Sequence, residues 1–119
     1  MKTKEDVIKQ TLKELAIGPH LTGYFYLQDA ISMCVDDKHA LNGICKNVYT
    51  KIAQAHGVTY SSVERAMRHA AERSVNLMDA ELCYELFGNA ISHNTYKPSL
   101  KCFIGCVAER VVDKLSKEV

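Results

Sequence analysis

The stretch from Ala53 to Leu77 constrains the fold more than any other part of the chain. Val63, Met67, Ala70, Ser74 and Leu77 recur at steps of four and three, so they share one stripe of a 3.6-residue helix and predict its inward face. Ser61, Glu64, Arg65, Arg68 and His69 then fall on the face turned away from the core. A preceding helical segment stops at Gly57, a short turn follows, and the second helix begins near Tyr60. Two helices joined by a glycine-containing turn, the second carrying arginines on its outer face, have the form of a helix-turn-helix.

The rest of the chain repeats the helical period. Ile8, Leu12 and Leu15 line one face of a segment from Glu5 to Ala16, which Ile17, Gly18 and Pro19 end. Leu27, Ala30, Ile31 and Cys34 mark a second helix over Tyr24–Val35, with Asp36 and Asp37 as its break. From His39 to His56 the stripe is Leu41, Ile44, Val48 and Ile52, and Gly43 inside it is a point where the helix can divide. Asp79 fits an N-cap for a short helix that carries Leu82 and Leu86 inward and stops at Gly88. Asn89 to Lys97 lacks a period and reads as a loop. Pro98 suits a first helical turn, and Leu100, Phe103, Ile104, Val107, Val111 and Leu115 carry a long closing helix. No segment alternates with period two. The prediction is an all-α fold of about six helices in one compact domain containing a helix-turn-helix.

Composition narrows the class. A chain of 119 residues supports one core, so 1–119 is read as a single domain. The hydrophobic share of 47% and charged share of 24% exclude wholesale disorder. A net charge of +1 is unlike the clearly basic balance of many nucleic-acid binders. The arginines are unevenly placed, however: of Arg65, Arg68, Arg73 and Arg110, the first three lie on the second helix of the central unit. The five cysteines form no Cys-x-x-Cys pair, no secretory leader precedes the first helix, and no apolar run reaches membrane-spanning length. These features predict a reduced, soluble, cytoplasmic protein that does not enter a membrane.

The outer face of the second helix has the chemistry of base reading. A recognition helix enters the major groove by its N-terminal part, and Ser61, Glu64 or Arg65, and Arg68 follow one another at three to four residues. Arginine donates two parallel hydrogen bonds to guanine O6 and N7, and a carboxylate accepts from cytosine N4. Thr59 and Ser61 stand where hydroxyls and helix N-terminal amides meet phosphates. A plainer reading fits the same residues. Ser61 to Glu64 is a capping-box pattern, Arg68 and Glu72 form an ordinary i,i+4 pair, and Arg65 and Arg73 are solvated.

Other constellations carry less. Cys102 and Cys106, with His93 before them, lack the four ligands and close paired spacing of a structural metal site. Cys34, Cys45 and Cys83 sit on apolar stripes and read as core. His20, His39 and His56 lie near helix ends, where capping and surface roles are the default. No nucleophile has a base partner. The sequence therefore predicts no catalytic residue, no metal and no cofactor.

Specific strings add a resemblance. Gly23-Tyr24-Phe25-Tyr26-Leu27 with Ala30-Ile31-Ser32-Met33, then Val63-Glu64-Arg65-Ala66-Met67-Arg68-His69-Ala70, then Leu86-Phe87-Gly88 and Lys97-Pro98 are similar to the effector domain of the stage 0 sporulation protein A family. These are master response regulators of sporulation initiation in spore-forming Firmicutes, and the likeness covers the chain from about Leu12 to the last helix. It implies an all-helical domain whose recognition helix reads a short box in double-stranded promoter DNA, often as a tandem dimer, at the nucleoid. The family's base-reading glutamate and arginines fall on Glu64, Arg65 and Arg68. Ser61 and His69 fall where it makes neighbouring backbone contacts, and Thr59, Ser62 and Arg73 join that backbone-contacting set. Ser62 departs from the pattern, since the best-known members carry arginine there, and one cation fewer weakens phosphate affinity and its salt dependence. The family's segment after the recognition helix touches the sigma subunit of RNA polymerase, and by position this includes Phe87 and Ile91. Their helical spacing fits core packing equally well.

Family members also carry an N-terminal receiver domain, for which 119 residues leave no room. The chain therefore reads either as an excised effector domain or as a free-standing relative. Two functions follow as expectations. One is a sequence-specific DNA-binding transcription regulator. The other is a protein-interaction module on the same fold that binds a sigma factor or a full-length regulator without productive DNA reading.

Overall fold

Small polar side chains start three of the helices. Thr3, Thr59 and Asp79 each accept a hydrogen bond from a backbone N–H of the following turn, at Asp6, Ser62 and Leu82. Such caps satisfy donors that a helix leaves unpaired at its N-terminus. The computed structural model describes residues 2–88 and 98–117. Every regular element among them is helical: α1 (Lys4–Glu14), α2 (Tyr24–Asp36), a 3-10 segment (Lys38–Gly43), a π segment (Cys45–Tyr49), α3 (Thr50–His56), α4 (Tyr60–Leu77), α5 (Ala80–Phe87) and α6 (Leu100–Lys117). The all-α prediction with its six principal helices holds. The predicted loop from Asn89 to Lys97, with Ile91 and His93, lies outside the described residues.

α2 and α6 form the central pair, with α1 packed on both. Leu27, Ala30 and Ile31 from α2 and Phe103, Ile104 and Val107 from α6 are all excluded from solvent. α3 and α4 pack on one another and on α2, while α5 rests on α6, where the Phe87 and Phe103 rings lie 5.8 Å apart. Two buried hydroxyls are satisfied. Thr11 donates to the Val7 carbonyl, and Ser74 donates at 2.7 Å to the carbonyl of Leu15. The second bond fastens α4 to the end of α1. Removing a buried hydrogen-bond partner typically costs about 1–3 kcal/mol.

The structure corrects four readings. α1 ends at Glu14, not Ala16: Ala16 takes a left-handed conformation (φ 62), and Ile17 N–H closes on the Leu12 carbonyl at 2.9 Å. This is the crossed-bond termination that usually employs glycine. The predicted helix His39–His56 divides into the 3-10 segment, the π segment and α3, as Gly43 allowed. The π turn is held because both the amide and the hydroxyl of Thr50 bond to the Cys45 carbonyl. Cys45 is exposed rather than core, one position beyond the buried Ile44 and off the stripe that Ile44, Val48 and Ile52 keep. Leu77 is 59% exposed, because the last turn of α4 runs past the core before the chain turns at Met78. Ala71 and Val75 are buried instead, so the inward stripe is broader than predicted.

Gly23 sets the distance between α2 and α4. A Cβ there would overlap the carbonyl of Ala66, standing 2.7 Å from its carbon, so the start of α2 can press against the middle of α4 only without a side chain. Backbone on both sides leaves no flexible atom to yield. Gly23→Ala should therefore lower the stability of the domain by roughly 1–3 kcal/mol, the usual cost of overpacking, read as a lower midpoint in urea denaturation. An unchanged midpoint would contradict the close approach.

Candidate nucleic-acid interface

α3, the turn around Gly57 and α4 have the succession of a helix-turn-helix. α3 closes at Gly57 in the left-handed region (φ 66), and Val58 N–H reaches back to the Ala53 carbonyl at 3.0 Å. The closure is available to glycine because it has no Cβ. His56, the last residue of α3, places Nε2 2.8 Å from Asp29 Oδ2 on α2. Its ring meets that of Tyr26 edge-on at 5.0 Å. The turn is thus tied to α2 immediately before the chain enters α4.

α4 begins at Thr59, which is its N-cap. The Thr59 hydroxyl accepts from the Ser62 N–H at 3.1 Å and donates to the Ser62 hydroxyl at 2.9 Å. This corrects the capping-box reading of Ser61 to Glu64. With Thr59 at the cap, Ser62 is the third helical residue, and Glu64 lies too far along to reach the helix start. It also redistributes the hydroxyls: the Thr59 proton is used inside the protein, which leaves the Ser62 proton to turn outward.

Behind this start, Val63, Met67 and Ala70 are shut into the core. Burying side chains such as Val63 and Met67 contributes about 1.5–3 kcal/mol each, and this fixes the rotation of the helix. Ser61, Ser62, Arg65, Arg68, His69 and Arg73 are exposed, and Glu64 is half-buried beside them. Arg68 Nη1 lies 2.7 Å from Glu64 Oε1, and its Nε lies 3.8 Å from Glu72 Oε1. The predicted Arg68–Glu72 pair is thus present, together with a shorter contact to Glu64. Arg65 and Arg73 make no ion pair among the described residues, whereas Arg110 bonds to Glu85 between α6 and α5. Exposed i,i+4 pairs are worth about 0.2–0.5 kcal/mol.

Elsewhere the chemistry is sparse. Phe87 is 4% exposed, so its ring anchors α5 on α6 rather than offering surface. Tyr84 and Leu77 are the large apolar side chains exposed nearby in sequence. Cys102 and Cys106 hold their sulfurs 3.9 Å apart, and among the described residues no three metal-ligating side chains gather. The sequence had singled out the outward residues of α4. It missed the His56–Asp29 tie and the cap at Thr59, the first because the partners are far apart in the chain. The second was legible in principle, since Thr59 is three residues before Ser62 and just after the turn.

The model of the family described as sporulation initiation factor Spo0A C terminal matches residues 8–111. The chain belongs to that family. The Spo0A C-terminal domain is a DNA-binding effector domain of a sporulation regulator and is not a catalytic family. No described helix is long and apolar enough to cross a membrane.

Two of the thiols give this Spo0A-type domain a pH signature. Burial, with Asp37 adding to it, pushes the Cys34 thiol up from 9.0 to about 11. Burial and the neighbouring Cys102 push Cys106 up to about 12. In the unfolded chain both ionise near their ordinary value, so their contribution is complete below pH 9 and is lost as pH rises toward the folded values. The urea midpoint should fall between pH 9 and 12, and less steeply in Cys34→Ala/Cys106→Ala. Equal slopes would contradict the assignment.

Proposed function

We propose that this chain is a sequence-specific transcription regulator that reads a short promoter box with α4 in the major groove. Glu64, Arg65 and Arg68 meet base edges. Ser61, Ser62, His69 and Arg73 meet the backbone, with Thr59 holding the helix start and its amides toward a phosphate. The observation that carries the reading is the rotation of α4. Its apolar stripe is buried while its guanidinium and carboxylate groups share the opposite, solvent-facing side.

The parts have separate duties. Arg65, with no ion-pair partner among the described residues, is available for a guanine without breaking an internal contact. Glu64 and Arg68 offer an acceptor and a set of donors one helical turn apart, matched to neighbouring base pairs of opposite demand. His69 and Arg73 extend the basic side along α4. The single effector-type domain acts on promoter DNA at the nucleoid, with two copies in tandem on paired boxes. A sigma-subunit contact after α4 is favoured by the exposure of Leu77 and Tyr84, with Phe87 supporting that surface from beneath and Ile91 adjoining it in sequence. If that contact were the main activity, the chain would be an interaction module, and it would bind a sigma factor or a full-length regulator without selecting DNA.

Arg65→Ala separates these readings. Loss of a bidentate guanine contact costs about 1–3 kcal/mol, so gel-shift affinity for a family promoter box should fall roughly fivefold to 150-fold, while affinity for scrambled duplex changes far less. Equal affinity of the wild type for both duplexes would contradict base reading.

A further inference from the structure

Arg68 lies between two carboxylates of its own helix, hydrogen-bonded to one of them. Glu64 stands one turn before it and Glu72 one turn after, at 2.7 and 3.8 Å. All three side chains are part-exposed on the outward side of α4. A guanidinium has five N–H donors in a planar fork. Two of its nitrogens face carboxylates here, yet enough donors remain to supply the parallel pair that guanine O6 and N7 require. A phosphate makes a different demand. It attracts the whole cation and competes directly with both carboxylates, and it is repelled by them.

We infer that Glu72 is a specificity-determining residue: it positions Arg68 for a guanine and penalises the capture of Arg68 by DNA phosphates. The inference rests on the base-reading proposal and concerns the same face. Specificity is a difference between two affinities, so a group that weakens the wrong complex more than the right one raises it. In a scrambled complex Arg68 must leave Glu72 to reach the backbone, and Glu72 then lies unpaired in a strongly negative field. In a cognate complex Arg68 keeps its contact with Glu72 while its remaining donors meet the base. Glu64 cannot serve this purpose alone, because in that complex its carboxylate is itself directed to a base. The near-neutral charge of the chain fits a reader that limits its non-specific hold on DNA.

The experiment uses the full 119-residue chain, a duplex selected by the wild type from a random-sequence pool, and a scrambled duplex of equal length. Affinities are measured over a salt series for wild type, Glu72→Gln and Glu72→Ala. Both variants should bind scrambled DNA more tightly and with a steeper salt dependence, by about 0.9 in log–log slope if one further phosphate is neutralised. The affinity ratio of selected to scrambled duplex should fall roughly threefold to tenfold at 0.1 M salt, the scale of one such charge. Thermal unfolding of the free variants checks that α4 is intact, and a purely structural role would shift that midpoint and weaken both duplexes together. An unchanged ratio, or equal change on both duplexes, overturns the role of Glu72 while leaving base reading in place. A wild type that selects no sequence from the pool overturns base reading, and this inference with it.

Discussion

The direction in which Glu64, Arg65 and Arg68 face is decided on the opposite side of α4. Val63, Met67 and Ala70 are sealed against the core, Ser74 is bonded to the carbonyl of Leu15, and Ala66 meets the side-chain-free backbone of Gly23. These contacts involve α1 and α2 as well as α4, so the helix can neither roll nor lift without opening the core. Close packing makes such an arrangement stiff, because a small displacement leaves a void or a clash. The outward face of α4 is rigid as a consequence of how its back is buried.

The entry to α4 is held by different forces. Gly57 allows the turn, His56 binds the turn to Asp29, and Thr59 caps the helix. The energies are individually small, since an N-cap contributes about 1 kcal/mol and an exposed ion pair less. Their role is placement. They determine where the first turn of α4 starts and therefore which residues lie on it. The cap at Thr59 puts Ser62 in the first turn and Glu64 in the second, whereas a cap at Ser61 would have tied Glu64 to the helix terminus.

Much of this was legible before any coordinates. Stripes such as Leu27–Ala30–Ile31–Cys34 and Phe103–Ile104–Val107–Val111 located α2 and α6, because burial of one face is a local, periodic property of sequence. The outward residues of α4 followed as the complement of its inward stripe. Much of what escaped was non-local, or a matter of where a helix begins, ends or changes pitch. Nothing near His56 announces Asp29, and nothing near Ser74 announces Leu15. The exposure of Leu77 depends on where the core ends, which periodicity does not encode. Cys45 lies outside the buried Ile44–Val48–Ile52 stripe, at the start of a π turn that Thr50 closes and that no periodicity announced. Both Glu64 and Glu72 stand four residues from Arg68, and only the side-chain positions showed that the contact with Glu64 is the shorter.

The central claim is that one face of α4 meets DNA while its other face stays in the core. Titration of isotopically labelled protein with a promoter duplex, followed by backbone amide chemical shifts, tests it most directly. The largest shifts should fall on Thr59 and the first turns of α4 up to Arg73, concentrated at Ser61, Glu64, Arg65 and Arg68, while Leu27 and Phe103 remain unmoved. Shifts confined to α5 and α6, with α4 unaffected at saturation, would contradict it.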